Sequence, residues 1–194
     1  MMDKKTNKTK VDTRVLTLIA LGMTLNVVGA FIALQLRLPI YMDSLGTLLI
    51  ACLLGPKYAV ITGLSGSLVS GITFDIYSLC FAPVQMSTGY LAGKMYEKGK
   101  LKGKKTPLGI LAFVLPTALI GATISAIVFG GITSSGSSYL VQMLNVLQVP
   151  EVMSVFIVQL GTDYADKYLA VILVAMGVKI LPQSMKYHHL GGSR

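Results

Sequence analysis

From Val15 to Leu36 the chain runs through twenty-two residues without a charged side chain. A helix needs about 20 predominantly apolar residues to cross a bilayer, whereas the apolar core of a secretory signal is only about 7–15 residues long. The run therefore reads as a retained membrane crossing. Comparable apolar stretches recur along the chain. Six crossings would use about 120 residues, leaving about 74 of the 194 for tails and loops. That is too few for a soluble catalytic domain of ordinary size. The charged fraction of 13%, against about 25% in soluble domains, points the same way. The expected fold is an all-α integral membrane protein with six transmembrane helices.

Breakers and polar clusters divide the chain. Residues 1–13 form a basic tail, 14–182 the membrane domain and 183–194 a second tail. The first crossing ends at Arg37-Leu38-Pro39, since proline disfavours helix in the residue before it. The second, from Ser44 to Gly55-Pro56, has barely a dozen residues and is too short to span alone unless it extends through Met42 to Ser44 or is shielded by other helices. The third, Lys57 to Thr73, is rich in Gly and Ser, which lets helix backbones approach closely in lipid. A fourth runs from Phe81 to Met95, after a loop FDIYSLC. A fifth runs from Leu108 to Ile132, with Pro116 as a candidate kink. YLVQMLNVLQV is a short outer helix, and the sixth crossing follows Asp163. The sequence leaves open whether residues 151–162 belong to it or form a re-entrant cover.

Lysine and arginine favour the cytoplasmic side. With both termini inside, fifteen of the seventeen fall on that side, leaving Arg37 and Lys167 outside. The net charge of +9 is thus accounted for by N-in/C-in orientation in a lipid bilayer, with no call for nucleic acid. No phosphate-binding loop, metalloprotease motif or Ser/His/Asp set is present, and the only histidines are His188 and His189. The expectation is no catalytic residue, no metal site and no cofactor. Cys52 and Cys80 read as buried free thiols in or beside apolar segments.

Polar side chains gather instead at the outer helix ends: Asn26 and Gln35 on the first helix, Tyr41 and Asp43 after it, and Gln85 at the start of the fourth. Tyr139 and Asn145 follow in the fifth loop, then Gln159, Asp163 and Lys167 before the sixth. At membrane depth such groups cost energy unless they face protein, water or a ligand. They are the candidate substrate-binding residues, under a roof formed by residues 37–44 and 132–150. Asp43, Asp75, Asp163 and Asp166 are read as lying at hydrated outer ends. Asp163 and Lys167, four apart, can pair; Asp166 and Lys167, about 100° apart on a helix, are not expected to. Lys167 is left as a partner for a substrate's acid. The Tyr and Phe residues look scattered, with no aromatic cage.

LRLPIYMDSLGT, LLGPKYA, APVQMSTGYLAGKMYEKGK and DKYLAVIL together resemble a substrate-binding S component of the energy-coupling factor (ECF) vitamin transporters of bacteria. The resemblance spans roughly residues 14–182. It implies a multi-pass plasma-membrane subunit that captures a micronutrient outside, docks on a transmembrane T component joined to two cytoplasmic ATPases, and topples to release its cargo. ATP would be used by those partners. Family members dock through small residues on the first helix; the nearest match here is Ala20, Gly22 and Thr24. The outer polar set suits a pantothenate-like or pyridoxine-like vitamin, with cobalamin as a larger option. A stand-alone secondary transporter or channel, or a membrane scaffold, are the alternatives.

Overall fold

Prolines and glycines set most of the helix boundaries. The computed structural model describes residues 13–180, and all the regular structure among them is helical. The helices are α1 (Thr13–Gln35), α2 (Leu45–Leu54), α3 (Pro56–Thr73), α4 (Tyr77–Cys80), α5 (Ala82–Glu97), α6 (Thr106–Phe129), α7 (Ser137–Val146) and α8 (Glu151–Ile180), with a 3-10 turn at Gly103–Lys105. Pro56, Pro83 and Pro107 sit in the first turns of α3, α5 and α6, where a missing N–H costs nothing. Gly130 ends α6 in the left-handed conformation, its N–H donating to the Ser125 carbonyl. The expected tails lie outside the described residues, apart from Thr13, which opens α1.

α2 is the hub, packing against α1, α3, α5 and α8. It has only ten residues, about 15 Å of helix, and seven of them are buried. The helix does not extend through Met42 to Ser44, and other helices shield it. Around it α3 packs on α1 and α5, α5 on α6, and α6 on α8. The core that results holds Leu48, Ile50, Leu53, Ile110, Phe113, Val114, Val171 and Val174.

α1 and α2 meet backbone to backbone. A Cβ added to Gly46 would collide with the Gly22 carbonyl oxygen, and one on Gly22 would lie 2.7 Å from Ile50 Cγ1. Small residues thus act as expected for close helix approach, but Gly22 faces the interior. It cannot share an outer docking face with Ala20 and Thr24, which are exposed.

Residues 151–180 form one continuous helix of 30 residues, which resolves the segment left open by the sequence. This moves the polar residues of α8. Asp163, Asp166 and Lys167 lie midway along it, at 1%, 2% and 2% exposure, and not at a hydrated end. Within FDIYSLC, read as a loop, Tyr77–Cys80 makes a single helical turn.

Two stretches are long and apolar enough to cross a membrane by length and composition alone, Thr13–Gln35 and Gly103–Phe129. α3, α5 and α8 are polar in composition because their Ser, Thr, Gln and Asp side chains turn inward: Thr62, Ser67 and Ser70, Gln85 and Thr88, Gln159 and Asp163 are all buried. The outside is correspondingly apolar, with Leu16 and Leu21 on α1, Ile61 and Leu68 on α3, Leu115 and Leu119 on α6, and Leu169 and Leu173 on α8 all exposed. A polar interior under an apolar surface suits lipid rather than water.

Candidate functional site

Beyond Gln35 the chain turns into the bundle. Arg37, at φ 49°, and Met42, at φ 52°, adopt left-handed backbone that non-glycine residues enter only where the surroundings hold them. For Met42 the restraint is visible. Its N–H donates to Asp166 Oδ1 at 2.8 Å, and its carbonyl rests in the space left by the absent side chain of Gly29. Ser44 Oγ donates to Asp166 Oδ2 at 3.2 Å. Asn26 Oδ1 then accepts from the N–H groups of Gly46 and Thr47 at 2.7 and 3.2 Å, while its Nδ2 donates to Thr47 Oγ1 at 2.7 Å. Asn26 thereby caps the start of α2, whose N–H groups have no partner inside the helix. Gln85 Nε2 donates to the Asp43 carbonyl at 3.2 Å. The 41–44 segment therefore reaches the middle of α8 with the Met42 N–H and the Asp43 carbonyl met by side chains, as irregular chain inside a bundle requires.

Behind this segment lies a cavity of about 80 Å³. Tyr41, Asp43, Gln85, Gln159, Asp163 and Lys167 all line it, so six of the ten candidate binding residues converge there. The other four do not. Asn26 is spent on α2. Gln35 and Tyr139 are exposed and line a separate outer groove of about 540 Å³, and Asn145 is exposed on α7 and lines neither. The two spaces share Leu34 and residues 133–135 as a common wall. Of the roof inferred from sequence, the 38–43 linker and residues 133–135 line the cavity, whereas the segment past Ser138 does not.

Lys167 is the centre of charge. Its Nζ lies 3.0 Å from Asp166 Oδ2 and 3.9 Å from both Asp43 Oδ1 and Asp163 Oδ1. The adjacent pair that helix geometry argued against is thus the closest one. Burial explains the reversal: an ammonium withdrawn from water needs partners, and a flexible lysine stem curls back to the carboxylate beside it. A free ammonium for a substrate's acid, as the sequence suggested, is not what is found.

Tyr41 OH donates to Gln159 Oε1 at 3.1 Å and shares a hydrogen bond with Ser137 Oγ at 3.0 Å. Gln159 Nε2 continues to Asp163 Oδ1 at 3.2 Å. Two carboxylate oxygens, Asp43 Oδ1 and Asp163 Oδ2, are buried without a hydrogen-bond partner.

The aromatic residues are not scattered. Tyr41, Tyr77 and Phe81 all border the cavity, the last two backed by Phe129 at ring separations of 4.7 and 6.1 Å. Tyr41 was among the candidates; Tyr77 was missed because FDIYSLC was read as a loop, and Phe81 because it was read as the start of a crossing. Asp75 and Ser78, joined at 3.0 Å, complete that wall; the sequence signal was their place among the outer acids and hydroxyls.

Residues 14–184 match the family model described as ECF transporter, substrate-specific component. No curated protein and no solved structure matches the chain. The match covers most of the chain and agrees with an apolar-surfaced helical bundle enclosing a cavity into which a few polar side chains converge. The chain belongs to the family of ECF transporter substrate-specific components, membrane subunits that bind a transported substrate and are not themselves catalytic.

Proposed function

We propose that this subunit captures a small water-soluble micronutrient at the outer face of the bacterial plasma membrane and delivers it inward with a T component and two ATPases. In this reading α1, α2, α3, α5, α6 and α8 are the six crossings. α4, α7 and the linker at 36–44 lie outside, and both termini with the lysine-rich 98–105 segment lie in the cytoplasm. The observation that carries it is the cavity between the linker and α8, lined by polar groups from elements far apart in sequence. Such convergence of a few polar groups on an otherwise apolar pocket is the usual form of a small-molecule site.

A channel is disfavoured by what adjoins the cavity. Its lining residue Gln85 reaches Thr47, which Asn26 holds in turn, and the bundle has a packed apolar core of Leu48, Ile50 and Phe113. At about 80 Å³ the cavity is also below the roughly 300 Å³ at which ligand sites begin. A small compound fills it once the wall at residues 133–135 moves toward the outer groove; one as large as cobalamin is not accommodated.

Proteoliposome uptake with ATP inside tests the reading. Concentrative uptake is expected only when the T component and ATPases are present. Uptake by this chain alone would overturn it, as would failure of the purified subunit to bind any small molecule.

A further inference from the structure

The cavity wall carries a marked excess of acid. Asp43, Asp75 and Asp163 line it, Asp166 stands directly behind, and Lys167 is the one cationic side chain lining it. Lys167 gives its closest contact to Asp166 and is also faced by Asp43 and Asp163, so its charge is consumed within the protein. What the wall keeps unfilled is acceptor capacity. Asp163 is 1% exposed and its Oδ2 has no hydrogen-bond partner; Asp43 Oδ1 is likewise unpartnered. A buried carboxylate oxygen left without a donor is costly, and a ligand that supplies the donor relieves that cost.

Resting on the proposed role as a substrate-binding subunit, we propose that the substrate is a small organic cation with a flat or aromatic body, its positive nitrogen donating to Asp163 and Asp43. The body of such a compound meets Tyr41, Tyr77 and Phe81, and aromatic faces attract cations as well as flat rings. A metal ion does not fit, because the Lys167 ammonium occupies the point on which the three carboxylates converge, and no described group of acids, cysteines or histidines is arranged to hold one. A pantothenate-like carboxylate is disfavoured too, since it would enter a site already short of positive charge. The amine-bearing or positively charged members of the pyridoxine-like class remain.

The test begins with mass spectrometry of small molecules released by denaturing the freshly purified full-length protein. It continues with thermal shifts in two matched sets: 3-(aminomethyl)pyridine, nicotinamide and nicotinate; and pyridoxamine, pyridoxine and 4-pyridoxate. The expected result is a released compound that is cationic at neutral pH, or a saturable shift with the cationic members alone. Asp163→Asn and Asp43→Asn should each weaken that binding roughly 10- to 100-fold, as loss of a charge-assisted hydrogen bond does, while Asn145→Ala leaves it unchanged. Having two carboxylate variants keeps the test decisive if one of them fails to fold. A released or stabilising compound that is anionic or neutral would overturn the charge assignment and leave the substrate-binding role standing. Cation binding unaffected by both carboxylate variants would also overturn it. No released compound and no shift with any member would overturn both.

Discussion

The Met42 N–H donates to Asp166 Oδ1 at 2.8 Å across 124 positions of sequence. The same carboxylate holds Ser44 Oγ and the Lys167 ammonium. One side chain thus fixes the inward turn of the linker and neutralises the buried cation. Asp166→Ala is expected to lower stability by about 3 kcal/mol, the low end for breaking a buried ion pair, because Asp43 and Asp163 still face Lys167. Asp166→Asn keeps an acceptor for Met42 and should cost less. Thermal unfolding in detergent compares the two.

Glycines on different faces should respond in opposite directions. Gly46→Ala drives a methyl into the Gly22 carbonyl and should destabilise by at least the 1–3 kcal/mol of ordinary overpacking, about 3 kcal/mol here. Gly161 and Gly177, on α8, have nothing within 4 Å of a new Cβ. Alanine at either should stabilise by about 0.5–1 kcal/mol through helix propensity. Unfolding midpoints measured side by side check the sign.

Tyr41→Phe removes the hydroxyl that joins the linker to Ser137 and Gln159. The expected loss of stability is about 1 kcal/mol, with faster amide exchange over residues 132–138. Arg37→Ala also breaks a bond, the 2.6 Å contact to Tyr139, but both residues are exposed. Its effect on stability should be within about 0.5 kcal/mol.

The native thiols report on topology. Against the expectation of two buried thiols, Cys80 is exposed on the single-turn α4, and Cys52 is only partly buried against the core. In intact cells Cys80 should react with a membrane-impermeant maleimide and Cys52 should not. A cysteine placed at Lys100 in a background lacking both should react only after the membrane is opened. Labelling of residue 100 from outside would invert the proposed orientation.

Ala20 and Thr24 share the exposed face of α1 with Leu16 and Leu21. Replacing either with Trp should abolish uptake with the partner subunits while leaving substrate affinity intact, measured by calorimetry against transport. Gly22→Trp is no test of docking, since it would disrupt the α1–α2 contact.

The apolar runs made the helices legible, because length and hydropathy follow directly from bilayer thickness. Which residues would be interior was harder to read. Asn26, Gln35 and Asn145 look alike as amides near helix ends, yet one is buried and two face outward. The difference lies in how each helix is rotated, which needs the neighbouring helices. The depth of Asp163 and Lys167 was misread because α8 begins a dozen residues before Asp163, and a polar stretch inside a continuous helix resembles a helix end. The joining of Asp166 to Lys167 depended on burial, which has no local signature.

At several crossings the helices meet through glycine. Gly22 lies on Gly46, Gly63 on the Gln85 backbone, and Gly89 on Ala59. Such a seam has no rotamers to swing aside and no bonds to exchange. By contrast, the outer cover is held by a handful of side-chain hydroxyl and amide contacts. The protein is therefore built as a cup rather than a tube. Its rim can loosen at modest cost, but its base cannot part without pulling backbones away from one another. In the proposed role, release of cargo on the far side would require tipping the whole cup.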